Sequence, residues 1–241
     1  PCSFGCLRTC GAVRRFGSQD TNALGIKAQA GHVRMTWQEG TWGPLEWRAG
    51  ENSITLHLHA SCLHYGGSVF EGLKVFPSAD GKLRMCNAQY NAERMNLSAR
   101  RMGLPEVPED HFLSACRMAA KGNRSMIPVF ESGESLYVRP ILLATGPILG
   151  VKIPCREFTF FVSVQPLGNY VDPSGLDARI ATLDRAAPRG TGHAKVAGNY
   201  GASVAELQQA LQQGFDDLLY LDPLTRCNID EFHGANFIAI C

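Results

Sequence analysis

The chain has 241 residues, 45% hydrophobic and 19% charged, which is enough apolar content for one large or two medium domains. Its formal net charge is +1 and no apolar run approaches the length of a membrane span, so neither nucleic acid nor a membrane is an expected partner. The nine cysteines are scattered without a CxxC pair and read as free thiols of a reducing compartment.

Residues 1–24 read as a tail. Arg8, Arg14 and Arg15 precede the first acid, Asp20, and this basic, serine-bearing composition is that of an organellar transit segment. The compartment expected from it is mitochondrial, with a cytoplasmic protein bearing a plain tail as the alternative. Cys2, Cys6 and Cys10 recur every fourth residue, but no histidine lies near them and no metal is expected.

His32–Trp37 alternates apolar and polar residues and predicts a strand, followed by a turn through Gly40, Gly43 and Pro44. Ile54–Leu58 and Ser68–Phe76 predict strands, and Ala79-Asp80-Gly81 a tight turn into a hairpin partner at Lys82–Cys86. Asn87 is a capping residue for a helix to Met102, stopped by Gly103 and Pro105, and Pro108 opens a second helix to Lys121. Ser135–Thr145 and Glu157–Gln165 are rich in β-branched and aromatic residues and predict strands. Gly168–Gly175 has linker composition. Beyond it come a strand at Arg179–Leu183, a helix at Ala202–Gln213 with Gly214 past its end, and strands at Leu218–Leu221 and Asn236–Ile240. The chain thus reads as a mixture of strands and helices.

The densest chemical signal is Gly190-Thr191-Gly192-His193-Ala194-Lys195-Val196-Ala197-Gly198-Asn199-Tyr200. A lysine among residues with almost no bulk and no countercharge suits an amine that a flat ligand approaches closely, and such an amine can lose its proton and attack a carbonyl. The plain alternative is a glycine-rich turn that carries a lysine. Pyridoxal phosphate needs a lysine for its aldehyde, a carboxylate at its pyridine nitrogen, a donor to its phenolate and cations at its phosphate. Lys195, Glu231, Tyr200 and Arg94 are candidates in that order. Each also has a structural reading: a turn-capping acid for Glu231, a packing tyrosine for Tyr200, a solvated helix arginine for Arg94.

Five blocks in one order carry a resemblance. They are Leu63-His64-Tyr65-Gly66-Gly67-Ser68-Val69-Phe70-Glu71-Gly72-Leu73-Lys74, Arg94 to Pro105, Ser135-Leu136-Tyr137-Val138-Arg139-Pro140, Arg185-Ala186-Ala187-Pro188 through Lys195 to Tyr200, and Asp230-Glu231. The chain resembles the branched-chain amino acid aminotransferases, fold-type IV pyridoxal phosphate enzymes, from about residue 25 to the end. The resemblance implies an α/β (α+β) fold of two domains: a small N-terminal α/β domain over 25–167, an interdomain loop over 168–175 and, from 176, the start of a larger cofactor-binding domain that is incomplete here. It implies that Lys195 holds the cofactor and carries the proton, with Glu231 at the pyridine nitrogen, Tyr200 at the phenolate and Arg94 at the phosphate. Tyr65, Phe70 and Tyr137 are implied as the substrate pocket's aromatic wall, Tyr170 as the tyrosine of the interdomain loop, and Arg139 as the partner of glutamate's distal carboxylate. The implied reaction is transamination of leucine, isoleucine or valine with 2-oxoglutarate by a homodimer, without a metal. A D-amino acid aminotransferase or an aminodeoxychorismate lyase would share fold and cofactor, and a truncated, non-catalytic product is the alternative of another kind. His233 departs from the pattern, standing where the family usually has glycine.

Overall fold

The computed structural model describes residues 26–152, 154–168 and 175–240. The expected transit segment, Tyr170 and most of the expected linker therefore lie outside the described residues. The chain divides into two compact units: residues 26–170 with Thr191–Asn199 form the larger, and residues 171–190 with those from Tyr200 onward the smaller.

In the larger unit the order is β1 (Gly31–Gln38), β2 (Thr41–Trp42), β3 (Glu46–Ala49), α1 (Ser61–Tyr65), β4 (Ser68–Phe70), β5 (Leu73–Pro77), β6 (Leu83–Met85), α2 (Ala88–Met102), α3 (Glu109–Gly122), β7 (Ser135–Ala144) and β8 (Glu157–Leu167). The strands form one antiparallel sheet in the order β2-β1-β8-β7-β5-β6, with β3 also on β1 and β4 on β7. Phe158 to Val162 of β8 are all buried, the signature of a strand covered on both faces rather than of simple alternation. Phe112 of α3 packs on Phe160 with ring centroids 6.0 Å apart. The buried faces of α2 and α3 are mostly small (Ala88, Ala92, Ala99, Ala115, Cys116, Ala119), which lets both helices lie close to the sheet.

Several expectations change. Ser68–Phe76 is two strands, broken at Glu71–Gly72. Along β7 the partner switches there from β5 to β4, and Pro140 sits at the switch, its carbonyl accepting from the Glu71 N–H at 2.8 Å. A proline, lacking the N–H, fits a ladder only where the neighbouring strand has left it. Ile54–Leu58 is not a strand, and neither is Asn236–Ile240. Both are apolar, yet no described strand pairs with them, and Leu58, Ile238 and Ile240 stay exposed. Asn87 sits at the N-cap of α2 in a left-handed conformation (φ 53°) and makes no capping hydrogen bond. The β5–β6 hairpin forms as expected, with Gly81 at φ 74°.

The smaller unit comprises β9 (Ala178–Ile180), the second half of α4 (Gly198–Gly201), α5 (Val204–Gln212), β10 (Asp217–Leu221) and β11 (Ile229–Phe232). Its sheet runs β11-β10-β9, parallel between β9 and β10 and antiparallel between β10 and β11. Leu218, Tyr220, Ala181 and Ala210 form its core. Glu206 of α5 is buried and accepts from the Thr182 N–H (2.6 Å), the Thr182 hydroxyl (2.8 Å), the Leu183 N–H (3.2 Å) and Arg179 (3.1 Å). Burial alone would raise its pKa, but the Thr182 and Leu183 donors and the Arg179 charge more than offset this and hold it below the ordinary value. Among the described residues no helix is long and apolar enough to cross a membrane.

Candidate active site

The lysine segment is annexed by the sheet of the larger unit. Val196 bridges Val69 of β4, the Phe70 N–H donates to the Lys195 carbonyl at 3.2 Å, and the Ala197 N–H donates to the Ser68 carbonyl at 3.2 Å. The Lys195 N–H donates to the Ser98 hydroxyl at 2.8 Å, and that hydroxyl donates to the Arg94 carbonyl at 2.9 Å. One serine thus ties the lysine backbone to the helix turn that carries Arg94. Asn199 closes the loop, donating to the Thr191 and Ala194 carbonyls at 2.9 Å each. Ala194 and Val196 serve this docking, both buried within the apolar core of the larger unit. The Lys195 amine ends 4.7 Å from the centroid of the Phe70 ring, within cation–π range when protonated.

Arg94 presents its fork to Glu71, with Nε to Oε1 at 2.6 Å and Nη2 to Oε2 at 2.7 Å. Glu71 is wholly buried and also accepts from Asn91 Nδ2 at 2.8 Å, while the Arg94 side chain stays 51% exposed. A planar fork fixed on one edge holds its other edge in a set direction, which suits recognition of a second oxyanion.

Arg139 lies between two rings, its guanidinium carbon 4.6 Å from the Phe70 centroid and 5.1 Å from that of Tyr137. Its Nη2 donates to the Tyr137 hydroxyl at 2.8 Å, and its Nε is buried without a hydrogen-bond partner. Gly72 makes room for Tyr137, whose hydroxyl would sit 2.0 Å from a Cβ placed there. Phe70, Tyr137, Arg139, Lys195 and Arg94 are therefore gathered around the break between β4 and β5. Tyr65 stands at the end of α1, 41% exposed, with its ring 6.1 Å from that of His64. Tyr170 lies outside the described residues.

Tyr200 and Glu231 belong to the smaller unit. Glu231 is on β11 and is ion-paired with Arg185 Nε, which also reaches Asp230 at 3.7 Å. Tyr200 is in α4; its carbonyl accepts from the Ser203 hydroxyl at 3.2 Å, and its ring meets His233 edge-on with centroids 6.2 Å apart.

Sequence reasoning missed three contributors: Glu71, Ser98 and Arg185. Glu71 had a signal, as the one acid within the predicted strand Ser68–Phe76. Arg185 heads a recognised block but carried no role, and nothing local marks Ser98, whose partner is 97 residues away. Among the described residues no group of three or more histidine, cysteine or acidic side chains could hold a metal ion.

Residues 68–241 match the family of amino-transferase class IV, and the chain belongs to that family. It is 40% identical over 209 residues to a branched-chain-amino-acid aminotransferase of Helicobacter pylori, covering 85% of this chain and 61% of that protein. It is 40% identical over 232 residues to the Haemophilus influenzae protein of the same name, with 92% and 66% covered. The structure superimposes on the branched-chain amino acid aminotransferase of Escherichia coli with a TM-score of 0.65 at 26% identity, over 83% of this chain and 63% of that one. The chain thus spans somewhat under two thirds of the length of these relatives, and its α/β fold is theirs over the shared part.

Proposed function

We propose that this protein is a pyridoxal phosphate-dependent aminotransferase that exchanges amino groups between leucine, isoleucine or valine and 2-oxoglutarate. The observation that carries the reading is the placement of Lys195: its backbone is fixed on both sides by β4 and Ser98, and its amine reaches over Phe70. The names of the two 40%-identical relatives support the substrate class.

The donor set fits the cofactor by type. The oriented Arg94 fork is suited to the phosphate, the Lys195 amine to the aldehyde, and the Glu231 carboxylate and Tyr200 hydroxyl to the pyridine nitrogen and the ring oxygen. When bound, pyridoxal phosphate supplies an aldehyde and an electron-accepting ring. Lys195 would hold that aldehyde between turnovers and move a proton between the substrate Cα and the cofactor C4′. Glu71 keeps Arg94 aimed, and Arg185 keeps Glu231 aimed. Phe70 and Tyr137 offer apolar surface to a branched side chain, and Arg139 offers its buried Nε edge to the carboxylate of glutamate. The reading extends to a homodimer, for which the family resemblance is the support, and to a mitochondrial location, supported by the basic, acid-free run before Asp20.

The test is to mix the purified chain with pyridoxal phosphate, reduce with borohydride and map peptides by mass. A pyridoxyl group on Lys195 alone, with leucine–2-oxoglutarate transfer lost in Lys195→Ala, is the expected result. Labelling elsewhere, or ordinary transfer in Lys195→Ala, would overturn the reading. Light scattering tests the dimer, and organelle import of the tagged chain the location.

A further inference from the structure

His233 is given no task by the function above. Its surroundings are built. Its N–H donates to the Leu218 carbonyl at 2.9 Å, fixing the backbone two residues past Glu231. Its Nδ1 lies 3.1 Å from the Ser203 hydroxyl and 3.2 Å from the Tyr220 hydroxyl. Tyr220 is fully buried and Ser203 is 3% exposed, so both hydroxyls must find protein partners. The Ser203 hydroxyl gives its one proton to the Tyr200 carbonyl, so the link to His233 is made in the tautomer whose Nδ1–H donates to the Ser203 oxygen, with the Tyr220 hydroxyl 3.2 Å from the same nitrogen. The Ser203 hydroxyl also reaches the Tyr200 carbonyl at 3.2 Å, and the His233 ring stands edge-on to the Tyr200 ring at 83°. His233 therefore holds Tyr200 twice: through Ser203 at its backbone and through ring contact at its side chain.

We propose that His233 is a positioning residue for Tyr200, joining the strand that carries Glu231 to the tyrosine through Ser203 and Tyr220. Two groups expected to touch opposite edges of one pyridine ring are thereby set by a single side chain. A glycine there would leave a buried tyrosine hydroxyl and a serine to re-pair, and would free the Tyr200 ring on that side. The proposal rests on the assignment of Tyr200 as a cofactor contact, and its test separates the two.

The chain is labelled with 3-fluorotyrosine, and the Tyr200 fluorine resonance, assigned by loss in Tyr200→Phe, is followed without cofactor in the parent, His233→Gly and His233→Asn. The expected result is a resonance moved toward the free amino acid value in His233→Gly and partly restored in His233→Asn, which keeps the polar link. Pyridoxal phosphate affinity is then measured in a cycle with Tyr200→Phe. His233→Gly should weaken binding about tenfold, as loss of an outer support does elsewhere, and much less in the Tyr200→Phe background. An unmoved resonance in His233→Gly, or effects on affinity that simply add, overturns the positioning role. If the parent fails to label at Lys195 the functional assignment falls, while the fluorine signal still decides what His233 does.

Discussion

Gly72→Ala is the sharpest perturbation the structure offers. A Cβ at that position would lie 2.0 Å from the Tyr137 hydroxyl, 2.8 Å from its Cζ and 3.1 Å from its Cε2. Gly72 is not at positive φ, so the obstacle is contact and not backbone strain. To regain ordinary contact the hydroxyl must withdraw by about 1.4 Å, farther than a hydrogen bond tolerates. The 2.8 Å bond from Arg139 is then lost and the Phe70–Arg139–Tyr137 stack opens. Overpacking costs about 1–3 kcal/mol and a lost charge-assisted bond roughly 1–2 kcal/mol in a half-buried setting, together about 2–5 kcal/mol. For a chain of this size that lowers the thermal midpoint by roughly 4–20 °C, read by calorimetry or circular dichroism. The same substitution in Tyr137→Phe, where the nearest atom is gone, should cost about half as much. Under the proposed function it should also raise KM for 2-oxoglutarate more than for leucine, because Arg139 loses its alignment. An unchanged midpoint, or the same loss in both backgrounds, would refute the packing argument.

Three further outcomes follow from described contacts. Glu71→Gln keeps the shape but not the charge that clamps Arg94; pyridoxal phosphate affinity, followed by absorbance titration, should fall about tenfold, or about 1.4 kcal/mol. Glu206→Gln should destabilise the smaller unit at neutral pH. Because the folded-state pKa of Glu206 is depressed, its contribution is present above the ordinary glutamate value and lost as pH falls through the folded one, so parent and variant melting curves should converge in acid. Cys116 is fully buried and its thiol is pushed up to about 12, whereas Cys86 is exposed. Iodoacetamide at pH 8, with mass mapping, should alkylate Cys86 early and Cys116 only on unfolding, and early Cys116 labelling would contradict the packing of α3.

Composition and turn chemistry made the long elements legible. β7, β8, α2 and α3 lie within a few residues of where β-branched and aromatic content, Asn87, Gly103 and Pro108 place them. What failed had an unlocal cause. Ile54–Leu58 and Asn236–Ile240 have strand composition, but a strand exists only with a partner, and partner availability is not written in a five-residue window. The break at Glu71–Gly72 was hidden because both flanking pieces are apolar; it follows from Pro140 and Tyr137, which lie more than sixty residues on. Residue types and order singled out Lys195 and Arg94, which lie in the larger unit, and Tyr200 and Glu231, which lie in the smaller. The residues that aim them, Glu71, Ser98 and Arg185, escaped because an aiming role is a matter of distance in space, not of local chemistry.

The way Thr191–Asn199 is held has a consequence for assembly. The chain completes the antiparallel sheet, departs for residues that pack elsewhere, and sends nine residues back to add a short rung beside β4 before departing again. Lys195 and Ser98 are 97 residues apart, so that rung closes a long loop for a few hydrogen bonds. Such a contact cannot lead folding; it can form only on a β4–β7 edge that already exists. The Lys195 amine is thus installed on a finished surface and meets its surroundings only after they are in order.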